Sequence, residues 1–154
     1  MSVDGAIATA SVSPRYLLSD FLREKAAAGG VHVACGQGVC GACTVVVDGT
    51  PLRACLMLAI QAEGCQVQTV ASLPALEGDS GPRPDGLTRL QRAFRDQHAL
   101  QCGYCTPGLL VATAQFLSEN RAPSRAEILD HLNGHLCRCS GYANIIAAIE
   151  SVRR

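Results

Sequence analysis

Apolar residues recur along this chain in two rhythms, and the change from one to the other divides it. In the first half the apolar stretches are short and rich in β-branched residues, with turn residues between them. Asp4-Gly5 is a hairpin-type turn, and Ala6 to Val12 reads as a strand. Ser13-Pro14 reads as an N-cap followed by proline at the first helical position. Leu17, Leu18, Phe21 and Leu22 follow at helical spacing, and Gly29-Gly30 is placed to end that helix. Thr44 to Val47, the turn Asp48-Gly49, and Pro51 to Ala54 predict a β-hairpin. Gln66 to Val70 is a further strand candidate.

The second half is helical in rhythm. Leu87, Leu90 and Phe94 mark one helix. Thr106-Pro107 opens the next, which carries Leu109, Leu110, Thr113, Phe116 and Leu117. Ser124 and Glu127 form a capping box before Ile128, Leu129 and Leu132, with Gly134 as the stop. Ile145, Ile146 and Ile149 give a fourth helix. Between the halves, residues 74–86 hold three prolines and three glycines and read as a linker. The expected organisation is therefore an α+β unit over 1–73, a linker over 74–86 and a helical unit over 87–154.

Composition narrows the function. The 154 residues carry 13 basic and 13 acidic side chains, and neither half departs far from balance. That argues against a nucleic-acid partner, which would call for a basic face. The apolar fraction of 48% argues against disorder. No apolar run reaches the ~20 residues of a membrane span. With no export signal or twin arginine at its start, the chain reads as a soluble, cytoplasmic protein. Units of about 75 residues bury little surface and are marginal alone, so metal crosslinks would help both.

The chain has nine cysteines. In a reducing compartment, clustered cysteines point to metal. Cys35, Cys40, Cys43 and Cys55 have the spacing C-x4-C-x2-C-x11-C, the plant-type [2Fe–2S] pattern with a fourth ligand further on. The glycines at 36, 38 and 41 let such a loop wrap an anionic cluster and aim backbone N–H groups at sulfur. Three cysteines in one glycine-rich loop make a poor zinc pattern. A Rieske centre would need two histidines, and His32, the only one nearby, reads as a strand residue.

Cys102 and Cys105 form C-x2-C at the mouth of the Thr106-Pro107 helix, and Cys137 and Cys139 form C-x-C between the third and fourth helices. They can converge on one cluster, but their spacing alone also suits zinc. Cys65 is left over and reads as a small buried apolar side chain. His98, His131 and His135 read as solvent-facing or hydrogen-bonded. Arg138 lies between two candidate ligands, where it either offsets cluster charge or faces a partner.

The strings CGQGVCGAC (35–43), QCGYCTPG (101–108) and LCRCSGY (136–142) resemble the iron–sulfur subunit of the molybdenum hydroxylases. This is the xanthine dehydrogenase, aldehyde oxidoreductase and carbon monoxide dehydrogenase family. The resemblance runs from the Asp4-Gly5 turn through Tyr142, with all eight expected cysteines in order. It implies two [2Fe–2S] clusters, one in a plant-ferredoxin-like β-grasp domain and one in a C-terminal four-helix bundle, and so favours iron over zinc for the second set. It further implies that Gln101 hydrogen-bonds the pterin of a molybdopterin cofactor, and that Cys139 both ligates iron and approaches that pterin. The implied partners are a large molybdenum-cofactor subunit and a medium FAD subunit. Electrons would pass from molybdenum through the helical-domain cluster, then the ferredoxin-like one, to FAD or another acceptor. The chain itself would do no substrate chemistry. His135, Ser140 and Ala34 stand where the family often has Asn, Thr and Gly; none of these changes removes a ligand. The competing readings are a free-standing two-cluster ferredoxin, which usually carries strong net charge, and a zinc-stabilised interaction module.

Overall fold

The computed structural model describes residues 1–78 and 85–152. Its first half is a five-stranded mixed sheet: β1 (Ser2–Val3), β2 (Ala6–Ile7), β3 (Thr44–Val47), β4 (Thr50–Arg53) and β5 (Gln66–Gln68), in the order β2-β1-β5-β3-β4. β1 and β5 run parallel, and the other neighbours run antiparallel. The first helix, α1 (Leu18–Glu24), packs Leu18 and Leu22 against Val3, Val45, Val47 and Val67 of the sheet. Both hairpins form where the turn residues predict them. Asp4 and Gly5, and again Asp48 and Gly49, take the positive φ that such tight turns require.

Local expectations fail where distant contacts intervene. The helix does not start at Ser13-Pro14. The Ser13 carbonyl instead accepts from the Tyr16 amide at 2.9 Å, so Pro14 sits inside a turn. Leu17 is then held extended by a bridge to Leu58, and α1 begins only after it. It ends at Glu24 rather than at Gly29-Gly30, and Ala27 turns the chain at φ 52°. β2 stops at Ile7, short of Val12. β5 stops at Gln68 because the next residues turn to the Asp4 carboxylate. That carboxylate accepts from the Thr69 amide and hydroxyl, both at 2.7 Å, and from the Ser72 hydroxyl at 2.6 Å.

The helical half comprises α2 (Leu73–Leu76), α3 (Arg89–Asp96), α4 (Thr106–Glu119), α5 (Arg125–Leu132) and α6 (Ala143–Val152). Leu73, Leu90, Phe94, Leu109, Ile128, Ile145 and Ile149 form its core. The start of the expected linker is thus an element: α2 packs on α4, and Leu73 is fully buried. Residues 79–84 of that linker lie outside the described residues. The Ser124–Glu127 capping box forms as read, and a second one, Thr88 with Gln91, opens α3. Helix α4 also lies against β3, which joins the two halves along one seam. Among the described residues no helix is long and apolar enough to cross a membrane.

Candidate metal centres

Eight of the nine cysteines gather in two sets of four beside the seam, and each set divides into two thiol pairs. Cys35 pairs with Cys40 and Cys43 with Cys55. Cys102 pairs with Cys139 at 3.6 Å between sulfurs, and Cys105 pairs with Cys137. Two thiolates per iron is the terminal ligation a two-iron cluster needs, whereas one zinc ion draws four sulfurs around a single point.

The first set is built by the loop 35–43 and the turn after β4. Gly36, Gly38 and Gly41 all take positive φ, which curls the loop. The Cys35 sulfur accepts from the backbone N–H groups of Gln37 at 3.4 Å and Cys40 at 3.5 Å. Those amides, that of Cys40 foremost, bring the Cys35 thiol down to about 6. Burial instead pushes Cys43 up to about 11. Cys55 lies in a 3₁₀ turn just beyond β4, and Cys40, Cys43 and Cys55 are all buried.

The second set lies where α4 begins and in the segment before α6. Cys105 is the N-cap of α4, yet burial pushes its thiol up to about 12. Cys137 is lowered despite its burial, because the Ser140 hydroxyl (3.1 Å) and amide (3.4 Å) reach its sulfur. The Tyr142 hydroxyl accepts from the Cys137 amide at 2.8 Å and donates to the His135 carbonyl at 2.9 Å, which ties down the 135–137 segment. Cys102 and Cys139 are exposed. Gln101 is exposed too, and its amide donates to the Cys139 carbonyl at 3.2 Å. The three therefore share one open rim.

The two sets touch through backbone. The Leu136 amide donates to the Cys40 carbonyl at 2.9 Å, linking a residue of one set to the neighbour of Cys137 in the other. Arg53 donates to the Thr44 hydroxyl and to the Gly134 carbonyl, both at 2.5 Å. Tyr104, between Cys102 and Cys105, donates its hydroxyl to the Val33 carbonyl at 2.9 Å. Its ring stacks on His32 at 4.6 Å, and its carbonyl lies 2.8 Å from His32 Nδ1. His32 is therefore a bridge between the halves rather than a strand residue.

His135 is buried against Gly41 with Nε2 3.3 Å from the Thr44 hydroxyl, so it is hydrogen-bonded as read. Burial first, then the neighbouring Arg53 and His131, brings it down to about 3 and keeps it neutral. His131 stacks on Phe116 at 4.4 Å and reaches the Thr113 hydroxyl, while His98 is exposed. Cys65 stands apart from both sets. It is half-buried near the carbonyls of Gln61 and Glu63, not enclosed as an apolar core residue. Arg138 is exposed. Sequence reasoning missed Arg53, Tyr104 and Tyr142. The available signal was their position: two residues before Cys55, between Cys102 and Cys105, and three residues after Cys139.

Residues 1–68 match the 2Fe-2S iron-sulfur cluster binding domain family, and residues 75–150 match the [2Fe-2S] binding domain family. The chain is 47% identical to the caffeine dehydrogenase subunit gamma of Pseudomonas sp. strain CBB1, over 99% of this chain and 88% of that one. The quinoline 2-oxidoreductase structure from Pseudomonas putida 86 superposes with a TM-score of 0.87 at 46% identity, covering 97% of this chain and 87% of the matched one. Aldehyde oxidoreductase from Desulfovibrio gigas gives 0.84 at 35% identity over 99% of this chain, but this covers only 16% of that much longer polypeptide.

Proposed function

Because the chain belongs to the small iron–sulfur subunits of the molybdenum hydroxylases, we propose that it is the electron-transfer subunit of such a complex, with one [2Fe–2S] cluster per thiol set. In this reading Cys35, Cys40, Cys43 and Cys55 hold one cluster, and Cys102, Cys105, Cys137 and Cys139 hold the other. When bound, these clusters supply one-electron redox chemistry. The chain's own residues bind, shield and orient. Backbone amides of the 35–43 loop and the Ser140 hydroxyl donate toward ligand sulfur, and such bonds tune potential. Burial of Cys40, Cys43 and Cys55 keeps water from the first set. No side chain is called on as acid, base or nucleophile.

The observation that carries this reading is the pairwise grouping of all eight thiols in two sets joined by the Leu136–Cys40 hydrogen bond. The finer parts of the reading follow the resemblance. The 1–73 unit is a β-grasp domain, and α3 to α6 are the bundle. The rim at Gln101 and Cys139 faces the molybdopterin of a large subunit, and a medium FAD subunit takes the electrons onward, in the cytoplasm. The test is anaerobic purification with chemical analysis and identification of co-purifying chains. About four irons and four acid-labile sulfides per chain are expected, with a large molybdenum-containing chain travelling alongside. Two irons with stoichiometric zinc would overturn the second ligand set, and a lone chain with both clusters would favour a free-standing carrier.

A further inference from the structure

Arg53 grips both thiol sets at once. It is the last residue of β4, two before Cys55. One end of its guanidinium donates to Thr44, the neighbour of Cys43, and the other to the carbonyl of Gly134, two residues before Leu136. Among the described residues no carboxylate forms an ion pair with it, so these two neutral acceptors are the partners that hold the half-buried cation.

The seam around it is close-packed. A Cβ added at Gly108 would lie 2.3 Å from the Gly41 carbonyl oxygen and 2.8 Å from that of Ala42. A Cβ at Gly41 would lie 2.5 Å from the His135 ring. Backbone faces backbone at Gly108 and faces the His135 ring and the Gly134 carbonyl at Gly41, and the directional hydrogen bonds across this tight contact help to set the gap.

We propose that Arg53 is a positioning residue that fixes the spacing between the two thiol sets, by clamping the Gly134–Leu136 segment onto Thr44 and so keeping the Leu136 amide on the Cys40 carbonyl. The inference rests on the reading that each set holds a cluster. Electronic coupling falls exponentially with the gap, so a small slackening at this contact weakens exchange between the centres. The planar fork of arginine is what reaches two acceptors at once; a lysine ammonium carries the charge but is a single compact head.

The test compares Arg53→Lys and Arg53→Met with the unmodified full chain, both clusters loaded. Iron content, the magnetic interaction splitting between the two reduced clusters in electron paramagnetic resonance, and amide hydrogen exchange over residues 134–137 are read together. Both variants should keep their iron, show a reduced splitting, and exchange the 134–137 amides about tenfold faster, as the loss of one charge-assisted hydrogen bond implies. Unchanged splitting and exchange in both variants would overturn the proposal. So would a lysine variant indistinguishable from the unmodified chain beside an altered methionine variant, which would reduce Arg53 to its charge. If Arg53→Met loses iron, Arg53→Lys alone decides. A reduced splitting at full iron supports the clamp, and an unmoved one overturns it. If the unmodified chain shows no second cluster signal, the functional reading fails separately, and hydrogen exchange still decides the clamp.

Discussion

Replacing Gly41 by Ala tests the seam most directly, because its cost can be split into two parts. Gly41 sits at φ 76°, between the proposed ligands Cys40 and Cys43. Any L-residue there pays about 1–2 kcal/mol for the left-handed conformation. The added methyl group also meets His135 Cδ2 at 2.5 Å and the Gly134 carbonyl at 2.8 Å. Crowding of that kind in a packed site costs about 1–3 kcal/mol. The sum is roughly 2–5 kcal/mol, a large share of the ~5–15 kcal/mol that holds a typical domain together. Gly49 supplies the control. It has φ 81° in the β3–β4 turn, and nothing lies within 4 Å of an added Cβ. Gly49→Ala therefore carries only the conformational part, about 1–2 kcal/mol. Urea unfolding under anaerobic conditions, followed by far-ultraviolet dichroism and visible absorbance, gives both losses from the midpoints. Gly41→Ala should lose the larger amount by roughly 1–3 kcal/mol. Equal losses would show that the seam yields, and the argument from close backbone contact would fail.

Other outcomes follow from the thiols and the open rim. Cys43 and Cys105, raised to about 11 and about 12, are protonated in the metal-free chain at neutral pH and must lose those protons to ligate iron. Reconstitution with iron and sulfide should therefore become more favourable as pH rises from ~6.5 to ~8.5, and a flat or falling profile would refute this. The same raised thiols favour the metal-free fold below the ordinary thiol range, and that contribution is lost as pH rises through the folded values; the metal-free chain should soften in alkali. Gln101→Ala removes the bond to the Cys139 carbonyl and, under the proposed function, should slow electron transfer from a molybdenum-containing subunit by roughly 3- to 10-fold with iron content unchanged. Gln37→Ala keeps its backbone donation to Cys35 and should change neither, as read by stopped-flow reduction and iron analysis. Cys65→Ser should leave iron content untouched; loss of a cluster would reassign the ligands.

What could be read from the sequence was what local chemistry encodes. The spacing of Cys35, Cys40 and Cys43, the Asp48-Gly49 turn and the Ser124–Glu127 box each specify their own geometry within a few residues. The Thr88–Gln91 box was equally local and open to the same reading. The start of α1 was not, because Leu17 is held extended by Leu58, about forty residues away in the chain. Likewise nothing near Arg53 announces Gly134, and nothing near Tyr104 announces Val33. The clustering of eight thiols could be expected from the sequence, but the seam that joins the two sets is made of long-range hydrogen bonds with no periodic signature.

The unequal shelter of the two thiol sets gives the chain a direction of wear. Three sulfurs of the first set are buried, whereas Cys102 and Cys139 lie open. With those thiols as ligands, chelators and dioxygen would reach the second centre first in the uncovered chain. Once stripped, its two open thiols stand 3.6 Å apart. A two-electron oxidant can join them, taking two electrons and two protons as the disulfide forms, and the vacated centre then resists refilling. A partner seated over Gln101 and Cys139 would thus act as a seal as well as a neighbour. The useful lifetime of each newly made chain would then be set by how soon that seal is found.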